Sequence, residues 1–216
     1  MASAVPDPAT PWAPLAPESV AEMLDETTSL WWLSGGAALD RWLGAPIRDR
    51  ANIDVSTTSP HLPGLLGSLP ATRSAWVTVD GTPVPWQEAP DDVDPHPVLI
   101  HDDQRRAWVL QIAVEDGSDR AWIYRRDPRL QLPWDSAVLD MDGIPTGAPE
   151  VQLLWKALRP RPEDDIDKDA VAPLLPLGAR AWWEKALLSI HPHSSWAIQV
   201  RSPMFPAKAS WNRARD

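Results

Sequence analysis

Asn52-Ile53-Asp54 carries two polar residues in alternation, and a Ser34-Gly35-Gly36 turn precedes it in the chain. On a strand, residues i and i+2 share a face, so Asn52 and Asp54 project together. A magnesium ion requires hard, anionic oxygens in octahedral geometry, which carboxylates on adjacent strands supply. Glycines opening a helix let a phosphate chain approach backbone N–H groups and the positive helix end. Together these features describe metal-assisted transfer of a nucleotidyl group. There, charge builds on the phosphorus oxygens and the leaving pyrophosphate, and metal ions neutralise it. A Gly-Gly before a helix is, by itself, most often a plain strand-to-helix turn.

Several elements must position these residues. Leu30-Trp31-Trp32-Leu33 reads as a short buried strand or helix end entering the turn. From Gly36 a helix carries Ala37, Ala38, Leu39, Trp42 and Leu43 until Gly44 and Pro46 stop it. Ile53 and Val55 alternate with Asn52, Asp54 and Ser56, a strand period. A helix over Val20–Thr27 precedes them and a short helix over Leu62–Leu69 follows. Strand-like runs come next at Ala75–Val79, Val98–Ile100, Ala107–Val114 and Ala121–Tyr124, with turns expected at Asp80-Gly81 and Asp116-Gly117. Beyond Pro149 the spacing turns helical, over Glu150–Leu158, Asp164–Leu175 and Ala179–Ile190. The chain divides into a flexible Pro-rich arm (1–15), an α+β core (16–146), a helical C-terminal part (147–200) and a tail (201–216).

Composition limits the function classes. The 216 residues carry a net charge of −10, with acidic runs at Asp91–Asp94 and Glu163–Asp167. Such a chain repels phosphate backbones, which argues against a nucleic-acid partner; it suits a cationic small substrate or plain solubility. Cysteine is absent, which removes thiolate chemistry and cysteine-ligated zinc. No run approaches the ~20 apolar residues of a membrane span and no export signal is visible, so a cytoplasmic protein without a membrane partner is expected. The 14 tryptophans are expected mainly in the core. His191 and His193 lack ligand spacing to an acid cluster, and no Ser-His-Asp arrangement is suggested.

With these residues placed, the chain resembles the minimal nucleotidyltransferases, in the branch of aminoglycoside nucleotidyltransferases. The resemblance rests on Ser34-Gly35-Gly36, Ala38-Leu39-Asp40, Leu43-Gly44, Arg48 and Ile53-Asp54-Val55. It continues through Trp108-Val109-Leu110-Gln111, Tyr124–Asp127, Gly143-Ile144-Pro145, Pro149–Ala157 and Arg161–Asp164, and covers roughly residues 18–200. It implies a nucleotidyltransferase-like mixed β-sheet flanked by helices, with a C-terminal helical part. It also implies transfer of AMP from ATP to a hydroxyl of a small acceptor, an aminoglycoside-like polycation among the candidates. Gly35 and Gly36, with Ser34, would cradle the triphosphate, and Mg2+ would be held at positions 52 and 54 and by a third carboxylate. That third carboxylate should end the strand Ala107–Val114, which points to Glu115, with Asp116 its close competitor. Arg48 would position phosphates or pair with Asp49, and Lys156 would meet the triphosphate or lie on a solvated helix face.

The departures from the family pattern cluster at the chemistry. Asn52 stands where the first metal-binding Asp is usual, Arg50 where His is usual, Glu163 where Lys is usual and Lys168 where Phe is usual. An amide oxygen can coordinate Mg2+ but brings no charge. One unit charge ~4 Å from a divalent ion, at an effective dielectric of ~20, is worth on the order of 8 kcal/mol before desolvation and screening. Besides a globular domain whose glycines and acids are purely structural, two readings follow: an active nucleotidyltransferase, or a catalytically impaired relative that binds a nucleotide, a small ligand or a protein. Asn52 divides them.

Overall fold

The computed structural model describes Pro6 and residues 10–201. In chain order, α1 (Pro17–Met23) precedes β1 (Trp32–Ser34), α2 (Gly35–Leu43), β2 (Asp54–Thr58), α3 (Leu62–Gly67), β3 (Arg73–Val79) and β4 (Thr82–Pro85). Then come β5 (Val98–Asp102), β6 (Ala107–Gly117), β7 (Ala121–Ile123), β8 (Gln131–Pro133), α4 (Trp134–Ala137), β9 (Val138–Met141) and β10 (Ile144–Gly147). Four helices follow: α5 (Pro149–Lys156), α6 (Pro162–Val171), α7 (Leu177–Ile190) and α8 (Ser195–Arg201).

The strands form one mixed sheet in the order β4-β3-β5-β6-β2-β1-β10-β9, and β7, carrying β8, pairs with the far end of β6. Two pairings are parallel, β2 with β6 and β1 with β10; the rest are antiparallel. Side-chain alternation sorts the central strands into two faces. Leu33, Val55 and Ile112 join Val20 and Leu24, at the end of α1, and Leu62 and Leu65 of α3 in one apolar core. The opposite face of the same strands carries Ser34, Asp54, Ser56, Gln111 and Glu115.

The chain divides into two compact units, at Gln152/Leu153, with the whole sheet in the first. In the second, the Trp183 and Trp196 rings meet edge to face at 6.4 Å, and Lys168 bonds Gln199 at 2.8 Å, joining α6 to α8. No helix among the described residues is long and apolar enough to cross a membrane.

Several expectations change. Most of residues 1–9, and 202–216 of the expected tail, lie outside the described residues. Residues 11–15, expected in a flexible arm, instead run alongside β6: Ala13 N–H donates to the Trp108 carbonyl (2.9 Å) and Trp108 N–H to the Pro11 carbonyl (2.9 Å). Trp12 and Trp108 form a parallel bridge. The Asp80-Gly81 turn joins β3 to β4 as expected, both residues at positive φ (49° and 80°). Asp116-Gly117 is not a turn: both residues belong to β6, and the chain reverses after it, where Ser118 N–H bonds the Ala121 carbonyl.

Candidate active site

The Gly-Gly turn works as a junction because Gly35 takes a backbone conformation that L side chains disfavour, φ +61°, as β1 becomes α2. Close approach is needed as well. A Cβ on Gly35 would overlap the Asp54 carboxylate, and one on Gly36 would sit 2.6 Å from Cζ of Arg50. Asp54 opens β2 and pairs across to Ser34 on β1 and to Gln111 on β6. Registered neighbours point to the same face of a sheet, so Ser34 and Gln111 flank Asp54.

Asn52 meets Asp54 as a hydrogen-bond donor. Its Nδ2 donates to Asp54 Oδ1 at 2.7 Å. A carboxylate at position 52 would repel Asp54 unless a cation lay between them, whereas the amide bonds to it directly. Arg50 forms a two-pronged pair with Asp40, Nε to Oδ2 at 2.9 Å and Nη2 to Oδ1 at 2.6 Å. Asp40 Oδ1 also accepts the Ile47 N–H at 2.9 Å, which fixes the loop between α2 and β2. Arg48, in this loop, donates from Nη1 to the Asp49 carbonyl at 3.3 Å.

At the turn itself, the Gly35 N–H, the donor expected to face phosphate, is taken by Gln152 Oε1 at 2.8 Å. Gln152 is 2 % exposed, and its Nε2 is a buried donor with no partner. Beside Asn52 opens a cavity of about 480 Å³ whose lining includes Asn52, the acids Glu18, Asp40 and Asp142, and the arginines Arg41 and Arg50, of which Arg41 pairs with Glu18 and Arg50 with Asp40. That volume falls in the range of small-molecule sites.

One expected site residue lies further along the sheet, and another belongs to the helical unit. Glu115 is registered with Thr58, four residues beyond the Asp54–Gln111 pair, about 13 Å along the strand at ~3.3 Å per residue. It is buried and accepts the Trp122 indole N–H. The expectation placed it at the end of a strand to Val114, but β6 continues to Gly117 and Glu115 lies within it. Asp116, its competitor, points to the opposite face from Glu115 by strand alternation. Lys156, in the helical unit, is held by Asp164 Oδ1 at 2.8 Å and Asp167 Oδ2 at 3.1 Å, both carboxylates buried. Burial would raise the Asp164 pKa, but bonds from Arg161 and Lys156 outweigh it and hold this carboxyl well below the usual range.

The family model of the aminoglycoside-2″-adenylyltransferases matches residues 18–132. The chain belongs to this family. Solved structures with a similar course include the antibiotic-resistance factor ANT(2″)-Ia in solution, at 16% identity over 85% of this chain and 84% of that one, TM-score 0.44. Another is the lincomycin-bound lincosamide adenylyltransferase LnuA, at 16% identity over 70% and 91%, TM-score 0.48. A third is an antigenic nucleotidyltransferase-like protein from Paracoccidioides brasiliensis, at 19% identity over 88% and 95%, TM-score 0.45. No curated protein sequence matches the chain.

Family membership implies nucleoside triphosphate and a divalent cation, and the residues here do not fit that cation. Among the described residues, no three His, Cys, Asp or Glu side chains gather where they could hold a metal ion. At the site expected from the sequence one carboxylate, Asp54, is flanked by two amides, Asn52 and Gln111. Sequence reasoning passed over Gln111 and Gln152, although each is an amide amid apolar neighbours (Leu110 and Ile112; Val151 and Leu153). Such an interruption of an apolar run was the available signal.

Proposed function

We propose that this chain is a binding member of its family, taking a cationic, hydroxyl-bearing small molecule without performing metal-assisted nucleotidyl transfer. The carrying observation is the 2.7 Å bond from Asn52 to Asp54. It engages Asp54 Oδ1 with a neutral donor and leaves the pair one negative charge instead of two. Carboxylates at positions 52 and 54 would together hold the cation that neutralises charge in nucleotidyl transfer, and only Asp54 is one. The Gly35–Gln152 bond supports the same reading, because the cradle's first donor is already satisfied within the protein. The net charge of −10 and the open cavity beside Asn52 suit an amine-bearing ligand.

The test mixes the full chain with radiolabelled ATP, Mg2+ and tobramycin and follows label transfer, alongside tobramycin titration calorimetry with EDTA present. The expected result is heat of tobramycin binding and no labelled product. Labelled product from the natural sequence would overturn the proposal and restore the adenylyltransferase reading. Absence of tobramycin heat would overturn the ligand class.

A further inference from the structure

We infer that Gln111 is a second amide in a carboxylate's place, and that Asn52 and Gln111 jointly make this pair of strands indifferent to divalent cations. The inference rests on the reading just given and assigns the cause of the metal's loss to two positions. Three observations carry it. First, the parallel register puts Gln111, not Glu115, directly beside Asp54. Second, Gln111 interrupts a strand whose neighbours Val109, Leu110 and Ile112 are fully buried, and it is only half-buried, on the polar face with Asp54. Third, the Gln111 backbone is fixed from both sides: its N–H donates to the Ile53 carbonyl at 3.0 Å, and its β5 partner is Leu99. A side chain at 111 is thus held beside the Asn52–Asp54 segment by the ladder itself.

A divalent ion bound on a strand pair needs hard anionic donors from both strands. Here β2 offers one and β6 offers none at the adjoining position. Restoring an acid at 52 alone would put two carboxylates at the entry to β2 and leave the facing donor on β6 neutral. Gln111→Glu and Asn52→Asp both preserve shape, so the double variant changes charge with little change in volume. Without a cation its three carboxylates repel; with one, binding to the folded state stabilises it.

The test uses Mn2+, a paramagnetic stand-in for Mg2+, followed by electron paramagnetic resonance and by the thermal midpoint of the full chain. The expected result is no binding at millimolar Mn2+ for the natural sequence and weak binding for N52D and Q111E. N52D/Q111E should bind at least 100-fold tighter than either, with a midpoint that rises as Mn2+ is added. A folded double variant that binds no tighter than the natural chain overturns the inference, as does N52D binding as tightly as the double. Mn2+ binding by the natural chain as tight as that of the double variant overturns both the inference and the non-catalytic reading, whereas failure of the double variant alone leaves that reading standing, so the two failures are separable. If the double variant does not fold, Q111E alone decides: it should bind Mn2+ at least tenfold tighter than the natural chain, and no gain overturns the inference.

Discussion

A primary amide and a carboxylate have almost the same outline, and at position 52 the difference is a proton donor against a negative charge. Asn52 bonds to Asp54 as it stands; an acid there would need a proton or a cation to sit at the same distance. Gly35 has as little freedom, for reasons of backbone and space together. Gly35→Ala must hold an L side chain at φ +61° against the Asp54 carboxylate. A strained position of this kind costs about 1–3 kcal/mol, and the overlap adds to it. Urea unfolding should show a midpoint lowered accordingly, with the slope unchanged. The glycine pair was legible in the sequence because it is local; the strand expected to carry both Asn52 and Asp54 opens only at Asp54 and leaves Asn52 in the residues before it. The Gly35–Gln152 bond was not legible: its partners lie far apart in the chain, and nothing about a glutamine in an apolar helix names the donor it accepts from.

Among the elements, α2 and β2 could be read from spacing, since a period of 3.6 and one of two are written in consecutive residues. Which residue of β6 faces Asp54 could not, because register is a property of two strands and is set by the ladder between them. Taking the strand to end at Val114 placed the expected acid at its edge, whereas the longer β6 carries Glu115 past the site. In the helical unit, Lys156 illustrates the same limit: a lysine on an amphipathic helix reads as a surface cation, yet it neutralises two buried carboxylates. Lys156→Met leaves Asp164 and Asp167 buried without this partner, at a cost of about 3–5 kcal/mol to the unit that contains them. A matching drop in the thermal midpoint checks it, and a double variant that also carries Asp167→Asn should recover part of the loss.

Over the whole molecule, several shifted groups act in one direction with pH. His96 has a lowered pKa: burial is the main cause, followed by Arg125, with Arg126 adding to it and Asp94 opposing. Its Nδ1 accepts the Val114 N–H at 3.2 Å, which needs that nitrogen unprotonated. Its folded pKa lies below the unfolded value near 6.5, so its contribution is complete above that pH and is lost as pH falls toward the folded value. Asp102 and Asp164 also have lowered pKa values and lose their contributions further down, below the ordinary carboxylate range. Glu150, raised by burial, runs the other way: its carboxyl is better tolerated protonated, so it opposes stability as pH rises through the ordinary carboxylate range. Thermal midpoints should therefore fall on acidification in two stages. The first, starting near pH 6.5, should be missing from His96→Gln.

The pairing of residues 11–15 with β6 bears on the order in which the protein is made. A ribosome releases Trp12 early, but its partner Trp108 emerges only after β1 to β5 have been synthesised. Until then the opening segment has no strand to lie against, and closing so long a loop is entropically slow. The start of the chain is thus among the last pieces of the sheet to be placed. A nascent chain arrested before Ala107 should leave the Ala13 and Leu15 amides open to hydrogen exchange, and one arrested well beyond Gly117 should protect them.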